Sequence, residues 1–189
     1  PLVPLSAVQV PGRHILSDVL AASAVATLAG VAPAAIERAV RGFHGLEHAL
    51  QRVAVVAGVQ FINDSKATNI ASATRAIESF GEGLVVILGG KYKGGDFAAL
   101  AGPLQARRAT VIAIGEARPL IHAALDEAVA VSDAESMDDA VRKAARATEA
   151  GGTVLLAPAC SSFDMFRDYT ERGRAFVAAV QKWEGSVAV

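Results

Sequence analysis

The constraint that most limits what this chain can fold into is a regular alternation of short apolar runs with longer amphipathic stretches. Leu84 to Leu88, Thr110 to Ile114, Ala128 to Val131 and Thr153 to Ala157 alternate with helical patterns over 97 to 105, 117 to 125, 136 to 149 and 165 to 182. A run that is apolar at successive positions presents apolar side chains on both faces, so each run reads as a strand that helices must cover on both sides. Strands joined through helices run parallel, and the expected class is α/β: a mostly parallel sheet with helices on both faces. Ahead of this pattern, Val53 to Ile62 reads as a strand or hairpin and Ile70 to Phe80 as an amphipathic helix.

The first 45 residues follow a different pattern. Ser17 to Ala29 is an Ala/Val/Leu helix stopped by Gly30, and Pro33 suits the first turn of a second helix over Pro33 to Arg41. Pro1 to Val10 reads as a strand already under way, and a start at Pro1 rather than Met implies a longer native chain. Gly42-Phe43-His44-Gly45-Leu46 breaks the pattern, and the domain boundary is expected there, with residues 1–45 as one unit and 46–189 as another.

With 189 residues, 52% of them hydrophobic, the chain can bury a full core. A net charge of −1 with scattered Lys and Arg gives no electrostatic footprint for nucleic acid or an anionic membrane, so neither is an expected partner. The single cysteine, Cys160, cannot form an internal disulfide, and no apolar run approaches the roughly 18 to 20 residues of a membrane span. The N-terminus lacks the basic region and apolar core of a signal peptide, which makes the cytoplasm the expected compartment.

Chemistry concentrates in three turns, each following an apolar run. Asp64-Ser65-Lys66-Ala67-Thr68 lies between a strand pattern and a helix pattern, where strand ends of α/β sheets present ligands. Asp can accept from ribose hydroxyls, Lys can hold a phosphate or carboxylate, and Ser, Thr and helix N-terminal amides can add anion contacts. The same residues also make an ordinary polar turn with a helix cap. Gly89-Gly90-Lys91-Tyr92-Lys93-Gly94-Gly95-Asp96 is neither a Walker A loop nor a dinucleotide G-x-G-x-x-G turn, and its plain alternative is a solvated turn with two surface lysines. Ser161 and Ser162, in Pro158-Ala159-Cys160-Ser161-Ser162-Phe163-Asp164, can present hydroxyls at a helix N-terminus, or Ser162 or Asp164 can simply cap it. Cys160 has no flanking His motif and reads as a small buried residue; the His44 and His48 pair is interrupted by Gly45 and carries no metal expectation.

FINDSKATN at 61 to 69, ILGGKYKGGDF at 87 to 97 and LLAPACSSFDMFRDYTERGRAF at 155 to 176 resemble the C-terminal domain of the Mur ligases, and the Ser-Ser-Phe-Asp-x-Phe order resembles the D-glutamate-adding branch. The resemblance runs from GRHILSDVLAA at 12 to 22 through Phe176. It implies a Rossmann-like domain preceded by two helices from the end of a central ATPase domain. It also implies an ATP- and Mg2+-dependent enzyme that phosphorylates the carboxylate of UDP-N-acetylmuramoyl-L-alanine and lets the amine of D-glutamate displace phosphate. The P-loop, the residues that hold the metal and the nucleotide-sugar domain would lie in N-terminal and central domains outside this chain, and the chain alone is expected to be inactive. By position, Lys66, Thr68, Lys93, Ser162, Phe163 and Tyr169 would contact D-glutamate; Asp64 would meet the ATP ribose; Lys66 and Lys93 would serve the developing negative charge.

Two departures qualify the resemblance. Where the family carries Arg after the His of Leu46-Glu47-His48, this chain has Ala49, with Arg52 the nearest substitute. Where the family tends to show His-Asn-x-x-Asn, this chain shows His14-Ile15-Leu16-Ser17-Asp18. By the resemblance, both changes fall where the family contacts the nucleotide. They leave two rivals open: another Mur or folylpolyglutamate-type amino-acid ligase, and a non-catalytic ligand-binding domain derived from one.

Overall fold

The computed structural model describes residues 3 to 10 and 13 to 187. Helices α1 (Arg13–Leu28) and α2 (Pro33–Arg41) come first, followed by an antiparallel hairpin of β1 (Gln51–Val56) and β2 (Val59–Asn63). Then follow α3 (Ile70–Glu78), β3 (Leu84–Gly89), a 3-10 turn (Phe97–Leu100) running into α4 (Ala101–Gln105), β4 (Thr110–Ile114), α5 (Arg118–Leu125), β5 (Val131–Ala134), α6 (Met137–Ala147), β6 (Thr153–Leu156) and α7 (Tyr169–Val187). The six strands form one sheet in the order β1-β2-β6-β3-β4-β5, parallel except for the edge strand β1. This is the α/β fold expected, with helices on both faces.

Alternation along the strands divides the core in two. Leu84, Val86 and Leu88 of β3 pack with Ala73 and Ile77 of α3, Leu104 of α4 and Ile121 and Leu125 of α5. Val85 and Ile87 point the other way, against Val141 and Ala144 of α6 and Phe176 and Val180 of α7. Phe61 and Phe176 are wholly buried, and removing a ring at such a site costs about 3–5 kcal/mol. The hairpin turns on Ala57 and Gly58 at φ 49° and 80°, the paired positive dihedrals that match the twist of two antiparallel strands.

Several expectations shift. Val3 to Val10 holds a 3-10 turn at Leu5–Ala7 rather than a strand, and Pro1 and Leu2 lie outside the described residues. The fifth strand is Val131–Ala134, where Ala128 to Val131 was expected: as an edge strand it leaves Ser132 and Asp133 exposed, and polar positions conceal it from an apolar pattern. The last helix begins at Tyr169, not 165, because Asp168 rather than Ser162 or Asp164 caps it, accepting from the Glu171 amide at 2.8 Å.

Candidate functional site

The winding of the sheet selects one crevice. From β3 the chain steps outward through β4 and β5, then returns across α6 to place β6 between β2 and β3. Direction reverses there, and the loops at the carboxyl ends of three adjacent strands, β2, β3 and β6, meet at that point. These are the three turns singled out in the sequence.

In the first, the Asp64 amide extends the sheet by bonding the Leu156 carbonyl at 2.9 Å, and the Asn69 side chain caps α3 by accepting from Ser72 N at 2.9 Å. Asp64 is 8% exposed. Its Oδ1 accepts from Leu50 N at 3.2 Å. Burial outweighs this bond and the nearby Lys66 charge, so the carboxyl ionises at about 6 instead of 3.8. Asp64 Oδ2 takes no bond among the described residues and remains available to a hydroxyl donor. Lys66 is exposed, its amide held by the His48 carbonyl at 3.0 Å, and Thr68 is half-buried.

The second turn is laced to the third. Lys91 N donates to Ser161 O at 2.9 Å, Ser161 N returns to Lys91 O at 3.1 Å, and Ser161 Oγ adds a bond to the same carbonyl at 2.9 Å. Gly90 makes this possible: at φ 130° it packs so closely that a Cβ would fall 2.2 Å from Ser161 O. Lys93 is exposed near the tip, and neither it nor Lys66 has a carboxylate partner among the described residues. Tyr92 stacks on Phe97 at 5.6 Å between ring centroids, bracing the loop.

In the third turn Ser162 is buried, with its carbonyl accepting from Met165 and Phe166 N, while Phe163 is 66% exposed and Tyr169 is 39% exposed. Ser161 and Ser162 do not stand at a helix N-terminus, contrary to expectation. The Asp164 carboxylate bonds the Glu116 amide at 2.9 Å on a neighbouring loop, and a run of turns separates Ser162 from α7. Cys160 is buried with its thiol pushed up to about 11 by burial, which disfavours the reactive thiolate. Thus Asp64, Lys66, Thr68, Lys93, Ser162, Phe163 and Tyr169 all lie on the loops, or at the helix start, at one end of the sheet.

A buried polar network beneath these loops was not read from the sequence. Asn63 Nδ2 contacts His48 Nδ1 at 3.0 Å, Gln51 Oε1 at 3.2 Å and the Gly173 carbonyl at 3.2 Å, while its Oδ1 accepts from Ser65 N at 3.1 Å. His48 is 3% exposed, and its burial holds the ring below the ordinary imidazole pKa. It faces Asn63, so no pairing with the exposed His44 forms, and no metal-type cluster occurs among the described residues. Gly173 was the legible sign: a glycine inside a helix marks close approach, and a Cβ there would meet His48 Nδ1 at 2.3 Å.

The departures from the family pattern also converge. Ile15, Asp18 and Ala49 line one hollow of about 500 Å³ between α1, α2 and the 43–50 segment, walled by Val19, Ile36 and Phe43. Arg52 is exposed on β1 and does not line it.

A reversed winding with ligand-type loops at the strand ends defines an α/β domain of the class that binds a small ligand at the carboxyl edge of its sheet. Within that class, the chain belongs to the Mur ligase family: the profile of the Mur ligase glutamate ligase domain matches residues 48–160. It is similar to the UDP-N-acetylmuramoylalanine–D-glutamate ligase of Acidobacterium capsulatum, 46% identical over 188 residues, covering 100% of this chain and 41% of the relative. The ligase of the same name from Solibacter usitatus is 46% identical over 177 residues, covering 94% of this chain and 40% of the relative. The chain thus spans about two-fifths of the length of these relatives. Among solved structures, the Thermotoga maritima UDP-N-acetylmuramate-alanine ligase superposes with a TM-score of 0.67 at 18% identity, covering 93% of this chain and 40% of that one. The Mycobacterium tuberculosis folylpolyglutamate synthase complexed with ADP also gives 0.67 at 18% identity, covering 91% and 41%. At that identity the likeness concerns the fold. No helix among the described residues is long and apolar enough to cross a membrane.

Proposed function

We propose that the whole protein joins D-glutamate to UDP-N-acetylmuramoyl-L-alanine in peptidoglycan precursor synthesis, and that this chain carries its amino-acid-binding domain at residues 46–189, with residues 1–45 the tail of a central ATP-binding domain. The observation that carries the reading is that Lys66 and Lys93, which form no salt bridge among the described residues, stand with Thr68 and Ser162 on the loops at the ends of β2, β3 and β6. D-Glutamate brings two carboxylates, and separated cations with hydroxyl donors clamp both, turning the amine's attack into an effectively intramolecular step. Phe163 and Tyr169, both exposed at the rim, would cover the ligand and exclude water.

ATP with Mg2+ supplies the phosphoryl group that activates the acceptor carboxylate. Asp64 fits a ribose contact, since one oxygen is fixed by Leu50 N and the other is unclaimed, and Lys66 beside it would steady charge developing at the reacting carboxylate. Phosphate and metal would be held by the central domain. The test is ADP release by the full-length protein with UDP-N-acetylmuramoyl-L-alanine and each of D-glutamate, L-glutamate, L-alanine and meso-diaminopimelate. Turnover with D-glutamate alone is expected; turnover with another amino acid instead would reassign the branch. The hollow at Ile15, Asp18 and Ala49 favours one second reading, a ligand-binding domain that has lost ligase activity, for which no amino acid would release ADP.

A further inference from the structure

Arg172 is the largest side chain with essentially no exposure, at 1%. Arginine is seldom buried, and when it is, a carboxylate ordinarily neutralises it. Here no ion pair forms among the described residues. The guanidinium instead donates Nε to Ser65 Oγ at 2.9 Å, Nη2 to Ser65 O at 2.8 Å and Nη1 to Cys160 O at 3.0 Å. Ser65 Oγ spends its own proton on the Tyr169 carbonyl at 2.7 Å, so its lone pairs are left for Arg172. The loop bearing Lys91 and Lys93 is there too: a Cβ on Gly90 would stand 3.2 Å from Nη1.

From this junction we infer that Arg172, acting through Ser65, is the positioning residue of the site: it fixes the loop bearing Asp64, Lys66 and Thr68 against the loop bearing Ser162 and Phe163. The nearby Asp164 carboxylate offsets part of its charge, so its role is to hold the loops rather than to draw the ligand. The planar fork explains the residue type. Acceptors on two loops are engaged in one plane, so the distance between the loops is set by a rigid group, where lysine's three donors radiate from one nitrogen on a flexible stem and cannot span the same acceptors. Burial lowers the guanidinium only to about 10, so the clamp stays charged throughout the working range. One backbone bond, from Ala159 N to Ala67 O at 2.9 Å, joins the same two loops near their strands, and the fork adds three bonds farther out that fix their separation.

The inference deepens the proposed function and rests on it for the identity of the ligand. Its test uses the full-length protein with Arg172→Lys, which keeps the charge and loses the fork, and Ser65→Ala, which keeps the fork's carbonyl bonds and loses one acceptor. Both should raise the half-saturating D-glutamate concentration about ten- to a hundredfold, with a smaller rise for ATP through Asp64 on the same loop, and with non-additive effects in the double variant. Amide hydrogen exchange should speed up together in segments 64–69 and 158–164 of each variant, and not in β3 or β4. Folded variants with unchanged D-glutamate dependence, or exchange that loosens one segment alone, would overturn the inference. A general loss of stability predicts exchange rising throughout the sheet, which also overturns it. If the wild-type protein makes no use of D-glutamate, the proposed function falls and the ligand half of the inference with it, while the exchange pattern still decides the clamp.

Discussion

Asp64 is where function and stability pull apart, and Asp64→Asn measures the tension. A carboxyl that is 8% exposed, with one backbone amide at 3.2 Å as its hydrogen-bond donor, is held in a form it resists. Its ionisation at about 6, against 3.8 when free, means that the folded state binds the proton more tightly than the unfolded state. The stabilising contribution is therefore complete below 3.8 and is lost as pH rises through about 6. At about 1.4 kcal/mol per pH unit, the gap amounts to about 3 kcal/mol of lost stability at neutral pH. Asparagine has the same shape, keeps an oxygen for Leu50 N and carries no charge. Asp64→Asn should therefore gain about 1–3 kcal/mol at pH about 8, the lower figure allowing for the amide's own unsatisfied donors. For a domain of this size that is a rise in Tm of about 3–10 °C. At pH about 4 the gain should vanish. Urea unfolding across that range is the assay. A variant that is equally destabilised at both ends would refute the reasoning, since it would show that the carboxylate is solvated or paired in the fold. In the full-length protein the same change should weaken nucleotide use, as the unclaimed Oδ2 would become a donor or a poorer acceptor.

Three further outcomes follow from the same geometry. Lys93→Ala or Ser162→Ala in the full-length protein should raise the half-saturating D-glutamate concentration about ten- to a hundredfold with little change for ATP, read from initial rates; unchanged dependence in both would remove the assigned pocket. Gly90→Ala should cost about 2–4 kcal/mol in denaturant unfolding, because a Cβ would sit 2.2 Å from Ser161 O at a φ of 130°, and a loss under 1 kcal/mol would mean the loops part easily. Closure of this domain onto nucleotide should appear, in free and nucleotide-bound structures of the full-length protein, as a rotation localised at residues 42–46 with Asp64 and Lys66 moving as one body; superimposable structures would rule the hinge out.

What the sequence made legible follows the range of the forces involved. The bounds of α2, Pro33–Arg41, and the core strands β3 and β4 were readable because proline position and two-sided apolarity are local properties. The edge strand β5 was displaced by three residues because Ser132 and Asp133 face solvent, where no apolar pattern survives. The turns bearing Lys66, Lys93 and Ser162 were readable as chemistry, yet the helix start expected at 165, capped by Ser162 or Asp164, was wrong, since Asp164 bonds a residue 48 positions away in place of its own backbone. Arg172 lay beyond local reading altogether: its partner Ser65 is 107 residues distant, and an arginine in an amphipathic helix looks like any solvated cation. The residues that would touch a ligand are thus marked by short motifs, whereas the distances between them depend on buried, non-local polar contacts. Substitutions that keep every motif but alter Asn63, Ser65, His48 or Arg172 should therefore damage the site as much as changes to the motifs themselves, and only the folded structure shows why.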